Sequence, residues 1–321
     1  MRPAASILLS VPLFFACSAT TASKFDSSTS SGNGSGNGSG AGAGSSISVG
    51  VGGTDFSGSG AATTSSGDPG GCSEAATYVY VLSTDNDMYS FQPDKKAFTK
   101  IGHLGCPTTM VPNSMAVDRN ATAWVNYVQT DGLNDTGGAL YAVSTKDASC
   151  QGLQANLPNG WYRLGMGYSS DTNGGESESL FLTGTNGGPG LAKYNPAKKS
   201  VDFIGQFSGS LTGQNAELTG TGDGRLFGFF TTFPVEVAEI NKGSGAILST
   251  RSLSQVPTPS AWAFSFWGGD FYLYTSDGFS NSRVSRYRPS DKSVITDYMA
   301  NVGFIIVGAG VSTCAPVEPP K

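Results

Sequence analysis

From Cys72 onward the chain alternates apolar and polar residues in short β-rich runs. Each run is closed by Gly, Asn, Asp or Pro, and no stretch keeps helical periodicity long enough to form a helix. A unit recurs within this pattern as Tyr89-Ser90-Phe91-Gln92-Pro93, Tyr141-Ala142-Val143-Ser144-Thr145 and Ala192-Lys193-Tyr194-Asn195-Pro196. It returns as Ala238-Glu239-Ile240-Asn241-Lys242 and Ser285-Arg286-Tyr287-Arg288-Pro289. The central apolar residues lie 52, 51, 46 and 47 positions apart, a period that marks a repeat architecture.

Strands flank every copy. Those before it are predicted at 78–82, 123–127, 180–183, 226–230 and 271–275, and those after it at 98–102, 201–205 and 294–298. An earlier Gly-rich strand is predicted at 115–118, 165–168, 218–221 and 264–267. Four strands per unit is the blade of a β-propeller, so the fold class is all-β with five blades. A sixth blade is the alternative, if a degenerate unit lies between blades two and three. The first unit lacks its innermost strand, whereas Ile305–Val311 is a strand of that type with nothing after it. The C-terminal strand is therefore expected to complete blade one and close the ring, removing an exposed sheet edge.

Upstream of the repeats the chemistry changes. Residues 1–23 read as an export signal, with Arg2 ahead of an apolar stretch from Ala4 to Ala16 that is too short to span a bilayer. The stretch ends in Leu13-Phe14-Phe15-Ala16-Cys17-Ser18, which resembles a bacterial lipobox and implies lipidation of Cys17. Aromatic Phe14 and Phe15 depart from the usual pattern, and cleavage near Ala19 to Ala22 is the alternative. Ser18 in place of an acidic residue implies, by the same resemblance, sorting to the outer membrane, at its periplasmic or outer face. Residues 24–71 contain 15 Gly and 13 Ser among 48 residues, too little apolar surface to offset the entropy of ordering. This composition predicts a tether with a span of about 35–40 Å. The repeats occupy 72–315, and 316–321 form a short tail.

Composition narrows the functions. A formal net charge of -5, with 19 basic against 24 acidic residues, disfavours nucleic acid. The single histidine, His103, falls at the end of an outer strand, which disfavours a His-dependent triad and most histidine metal sites, and no metal or cofactor is expected. Asp85-Asn86-Asp87 and Asp171–Glu176 faintly resemble calcium loops but fall where hairpin turns are expected. If Cys17 is lipidated, four cysteines remain, an even number consistent with disulfides in an exported protein. Cys72 and Cys314 fall at the same end of blade one, so their bridge would lock the ring; Cys106 and Cys150 pair by default.

Hydrolysis in a propeller funnel commonly needs two or three carboxylates. Glu217 is the one acid at the start of an inner strand, while Asp118 and Asp223 sit in turns. Trp161-Tyr162-Arg163 and Trp262 also fall at inner-strand starts, where aromatic faces could stack on a sugar with Arg163 and Glu217 as polar anchors. Interblade packing is the competing role for these aromatics.

Cys17, the Gly/Ser tether and repeats of the form Leu-Tyr…Tyr-x-Pro…Phe-x-x-Ile-Gly together resemble bacterial surface lipoproteins with propeller domains, of the myxobacterial type. The resemblance covers 1–23 and about 72–315. It implies a membrane-anchored, non-catalytic module binding a glycan or a protein. The alternatives are a glycan hydrolase or lyase using Glu217, and a structural lipoprotein without a small ligand.

Overall fold

Residues 72–184 and 190–319 are described in a computed structural model of the chain. The expected signal segment, Cys17, the tether and the last two residues of the tail lie outside them.

Among the described residues, twenty strands form five four-stranded antiparallel sheets. The innermost strands are Ile306–Val311, Val111–Val117, Leu164–Ser170, Ala216–Gly220 and Ala261–Trp267, one for each of blades one to five. The chain is thus a five-bladed β-propeller. Blade one runs in the order 306–311, 79–83, 87–92, 97–103, with Val79 opposite Val311 and Tyr80 opposite Gly310, so the C-terminal strand closes the ring.

The second strands show why the pattern works. Successive side chains of a strand point to opposite faces, and in a propeller both faces meet another blade. Val79 and Val81 accordingly enter the core shared with blade five, whereas Tyr80 and Leu82 enter the core shared with blade two. Five apolar clusters fill the five seams between neighbouring blades. The seam between blades four and five is aromatic, with Phe264 stacked on Phe271 at 5.2 Å between centroids.

Two disulfides are formed, Cys72–Cys314 and Cys106–Cys150. The second pair follows from twist. Each successive strand rotates relative to the last, so the outermost strand of a blade turns away from the axis and its end reaches the next blade. Gly102, near the end of blade one's outer strand, packs against Asp147 and Ala148 in the last turn of blade two. Cys106 and Cys150 follow these two segments, and their Cα atoms are 4.9 Å apart. Gly205 and Ser244 repeat the contact between blades three and four. Two disulfides are characteristic of a protein that matures in an oxidising, non-cytoplasmic compartment. No described helix is long and apolar enough to cross a membrane.

The outer strands of blades two and four, Cys150–Asn156 and Ile247–Ser252, carry alternating or exposed residues that gave little sequence signal.

Candidate functional site

The five inner strands approach one another closely around the axis. A Cβ on Gly165 would lie 2.0 Å from the Ala216 carbonyl oxygen, and one on Gly308 would lie 2.8 Å from the Met115 nitrogen. Glycine at these positions lets neighbouring backbones touch, so the channel is narrow. At the end where the inner strands begin, it opens into a mouth of about 90 Å³. All five blades contribute, through Val307, Asn113, Arg163, Glu217 and Trp262 among others.

Glu217 forms the floor. It is 2% exposed, and Ser114 Oγ, two blades away, donates a hydrogen bond to its Oε1. Burial raises the Glu217 carboxyl well above the usual range, and the Ser114 hydrogen bond opposes the shift only in part. Among the described residues, Glu217 is the one carboxyl lining the mouth.

Arg163 is held in place. Its Nε and Nη2 each donate to Asp135 at 3.0 Å, a bidentate pair, and its Nη1 donates to Asn113 Oδ1 at 2.7 Å. Asn113 Nδ2 then donates to Leu164 O at 2.8 Å and to Asn126 Oδ1 at 2.9 Å. Fully buried Asn126 also accepts from Leu164 N and donates to Tyr162 O, which joins blade two to the start of blade three. Asn113, Ser114 and Asn126 were not singled out from sequence, because isolated Asn and Ser on a strand carry no distinctive pattern.

The aromatics divide. Trp262 is half-buried and lines the mouth. Trp161, 9% exposed, packs in the core between blades two and three instead, and Tyr162 rests against the same core while facing a neighbouring surface hollow. The structure therefore brings Arg163, Glu217 and Trp262 together and places Trp161 apart from them.

The turn acids serve their own turns. Asp118 accepts from the backbone of Asn120 and Thr122 and from Trp124 Nε1. Asp171 accepts from Ser177 and Ser179, and Asp223 from Thr221 and Arg225. Asp87 pairs with Lys100 at 2.5 Å and with exposed His103 at 3.1 Å. No group of three or more His, Cys, Asp or Glu able to hold a metal occurs among the described residues.

At the opposite end of the channel, Glu178 accepts from Arg119 N at 2.7 Å and from Thr313 Oγ1 at 2.8 Å, next to the Cys72–Cys314 bridge. Burial outweighs both hydrogen bonds and pushes its carboxyl up to about 7. A larger cleft of about 560 Å³ lies between blades four and five, walled by Phe227, Tyr287, Arg225, Arg251 and the tail residues Val317–Pro319. Glu239, Tyr287, Arg288 and Pro289 of two repeat units line it, but the repeat reads as strand and turn and did not mark a cleft in the sequence.

No known family's model matches the chain, and no curated protein matches it. Solved structures do. A protein of unknown function from Bacteroides caccae matches at 15% identity over 68% of this chain and 71% of that one, with a TM-score of 0.37. TolB from Acinetobacter baumannii matches at 14% over 68% of this chain and 51% of that one, with a TM-score of 0.40. XC5397 from Xanthomonas campestris, described as a gluconolactonase, matches at 13% over 62% and 68%, with a TM-score of 0.39. No activity carries over from likenesses of this degree.

Proposed function

We propose that the chain is an exported, membrane-tethered binding module, non-catalytic, that presents the funnel-mouth face of its propeller to a glycan or protein ligand. The observation that carries this reading is the mouth itself. It combines a fixed guanidinium, a half-buried indole and a buried carboxyl in about 90 Å³, against roughly 300–1,000 Å³ for a pocket that engulfs a small molecule. Such a mouth suits contact with part of a larger ligand. The tether and Cys17 supply the anchor in this account, consistent with an outer-membrane lipoprotein.

The burial of Glu217, which favours the protonated form of its carboxyl, supports one second reading, a glycan-acting hydrolase or lyase with Glu217 as general acid. A glycan panel assayed for binding and for product release separates the two. Binding without release, abolished by Trp262→Ala, is the expected result; release makes Glu217 the catalytic acid. Absence of both leaves a protein ligand or a purely structural lipoprotein.

A further inference from the structure

Among the described residues, three large apolar side chains are almost wholly in solvent: Leu133 at 93%, Phe233 at 94% and Phe279 at 96%. Each stands on the loop between the second and third strands of its blade, in blades two, four and five. Strands in a blade are antiparallel, so these loops share the face on which the inner strands begin. Hydrogen bonds agree, with Ser260 N donating to Ser276 O and Thr258 Oγ1 to Thr232 O. The three apolar tips therefore surround the mouth on one face.

Two of the tips are built alike, as Thr130-Asp131-Gly132-Leu133-Asn134 and Ser276-Asp277-Gly278-Phe279-Ser280. In each, the glycine has positive φ, 94° and 90°, and its N–H donates to the hydroxyl two residues back. The next two N–H groups, of Leu133 and Asn134 or of Phe279 and Ser280, donate to the aspartate Oδ1. The hydroxyl then donates to the carbonyl of the last residue. The third tip places Phe233 before Pro234, which has no N–H, and Thr232 Oγ1 donates to Pro234 O at 2.7 Å. The two Asp-Gly turns push an apolar side chain outward while satisfying the N–H groups of the glycine and the two residues after it, and the third tip is stiffened by its proline.

We propose that this face docks on a lipid bilayer, with Leu133, Phe233 and Phe279 inserted as three separate apolar tips. Internal satisfaction of backbone donors, as at the Leu133 and Phe279 tips, is what an apolar interface demands. The three tips do not form the apolar centre inside a polar rim that marks a protein interface; here a polar mouth sits inside an apolar rim. Three tips spread around a ring define a plane, and a fluid bilayer meets all three without shape complementarity. Asp131 and Asp277 stay ionised beside two of the tips, because the N–H groups they accept hold their carboxyls below the usual range. The favoured surface is thus zwitterionic, since anionic headgroups repel these carboxylates. The inference stands without any ligand at the mouth and would orient the mouth toward groups displayed on the same membrane.

The test uses the full chain with a tryptophan at one tip, Leu133→Trp or Phe279→Trp, and a control, Leu248→Trp, on the exposed outer strand of blade four. Each variant is mixed with phosphatidylcholine vesicles that carry brominated acyl chains. Tips buried about 5–10 Å into the interface lose at least about half of their added emission and shift to the blue, and the control does not. The contrast between positions isolates the tips from any membrane binding by the N-terminal segment. Phosphatidylglycerol in place of phosphatidylcholine is expected to weaken the quenching. Absence of quenching at the tips, equal quenching at Leu248, or quenching only with phosphatidylglycerol overturns the proposal.

Discussion

Ser114 and Glu217 meet across the propeller axis, with the hydroxyl of blade two donating to the carboxyl of blade four and blade three passed over. One hydroxyl spans the channel because glycines bring the inner strands together. Glu217→Gln keeps the shape and a polar partner for Ser114, so stability near neutral pH should change little. Glu217→Ala leaves Ser114 unpartnered and opens a cavity, at a cost of about 2–4 kcal/mol in urea unfolding.

Gly165→Ala tests the same closeness from the backbone side. The new Cβ would meet the Ala216 carbonyl at 2.0 Å and Glu217 Oε2 at 2.7 Å, and a carbonyl in a ladder has no rotamer to escape into. The expected loss is about 3 kcal/mol, the upper end for overpacking, read as a lower urea midpoint at constant slope.

Glu178 predicts the acid-side behaviour. Its folded value of about 7 lies above its ordinary 4.5, so between these pH values the folded chain holds a proton that the unfolded chain has released. Its contribution is complete below pH 4.5 and is lost as pH rises through 7. Wild type should melt higher at pH 5 than at pH 7.5, and Glu178→Gln should reduce that difference. An unchanged profile in the variant would remove Glu178 from the account.

The two bridges should differ in worth. Cys72–Cys314 closes a sequence separation of 242 and Cys106–Cys150 one of 44. Chain entropy gives about 5.5 and about 4 kcal/mol as upper figures. Paired serine substitutions, measured by thermal unfolding, should therefore cost more at Cys72 and Cys314.

The sequence made the blades visible because their middle strands are buried on both faces and repeat. Ring closure followed from one missing inner strand and one surplus one. Outer strands such as Ile247–Ser252 were harder to see, since solvent on one side relaxes the demand for alternation. At the mouth, Arg163, Glu217 and Trp262 were legible as inner-strand starts. Trp161 starts the same segment as Arg163, yet a single sequence does not say which way such a side chain turns. Its burial makes Trp161→Ala a stability variant, costing about 3–5 kcal/mol, and thus a poor probe of binding. The tips had a signal that periodicity passes over, the shared Asp-Gly-apolar turn at 131–133 and 277–279.

The most direct measurement of the central claim is a titration of wild type, Trp262→Ala and Arg251→Ala with one ligand retained from the panel. Trp262 lines the mouth and Arg251 lines the cleft between blades four and five. Binding lost in Trp262→Ala and kept in Arg251→Ala is the predicted result. Binding kept in Trp262→Ala and lost in Arg251→Ala would move the site to the cleft and contradict the account.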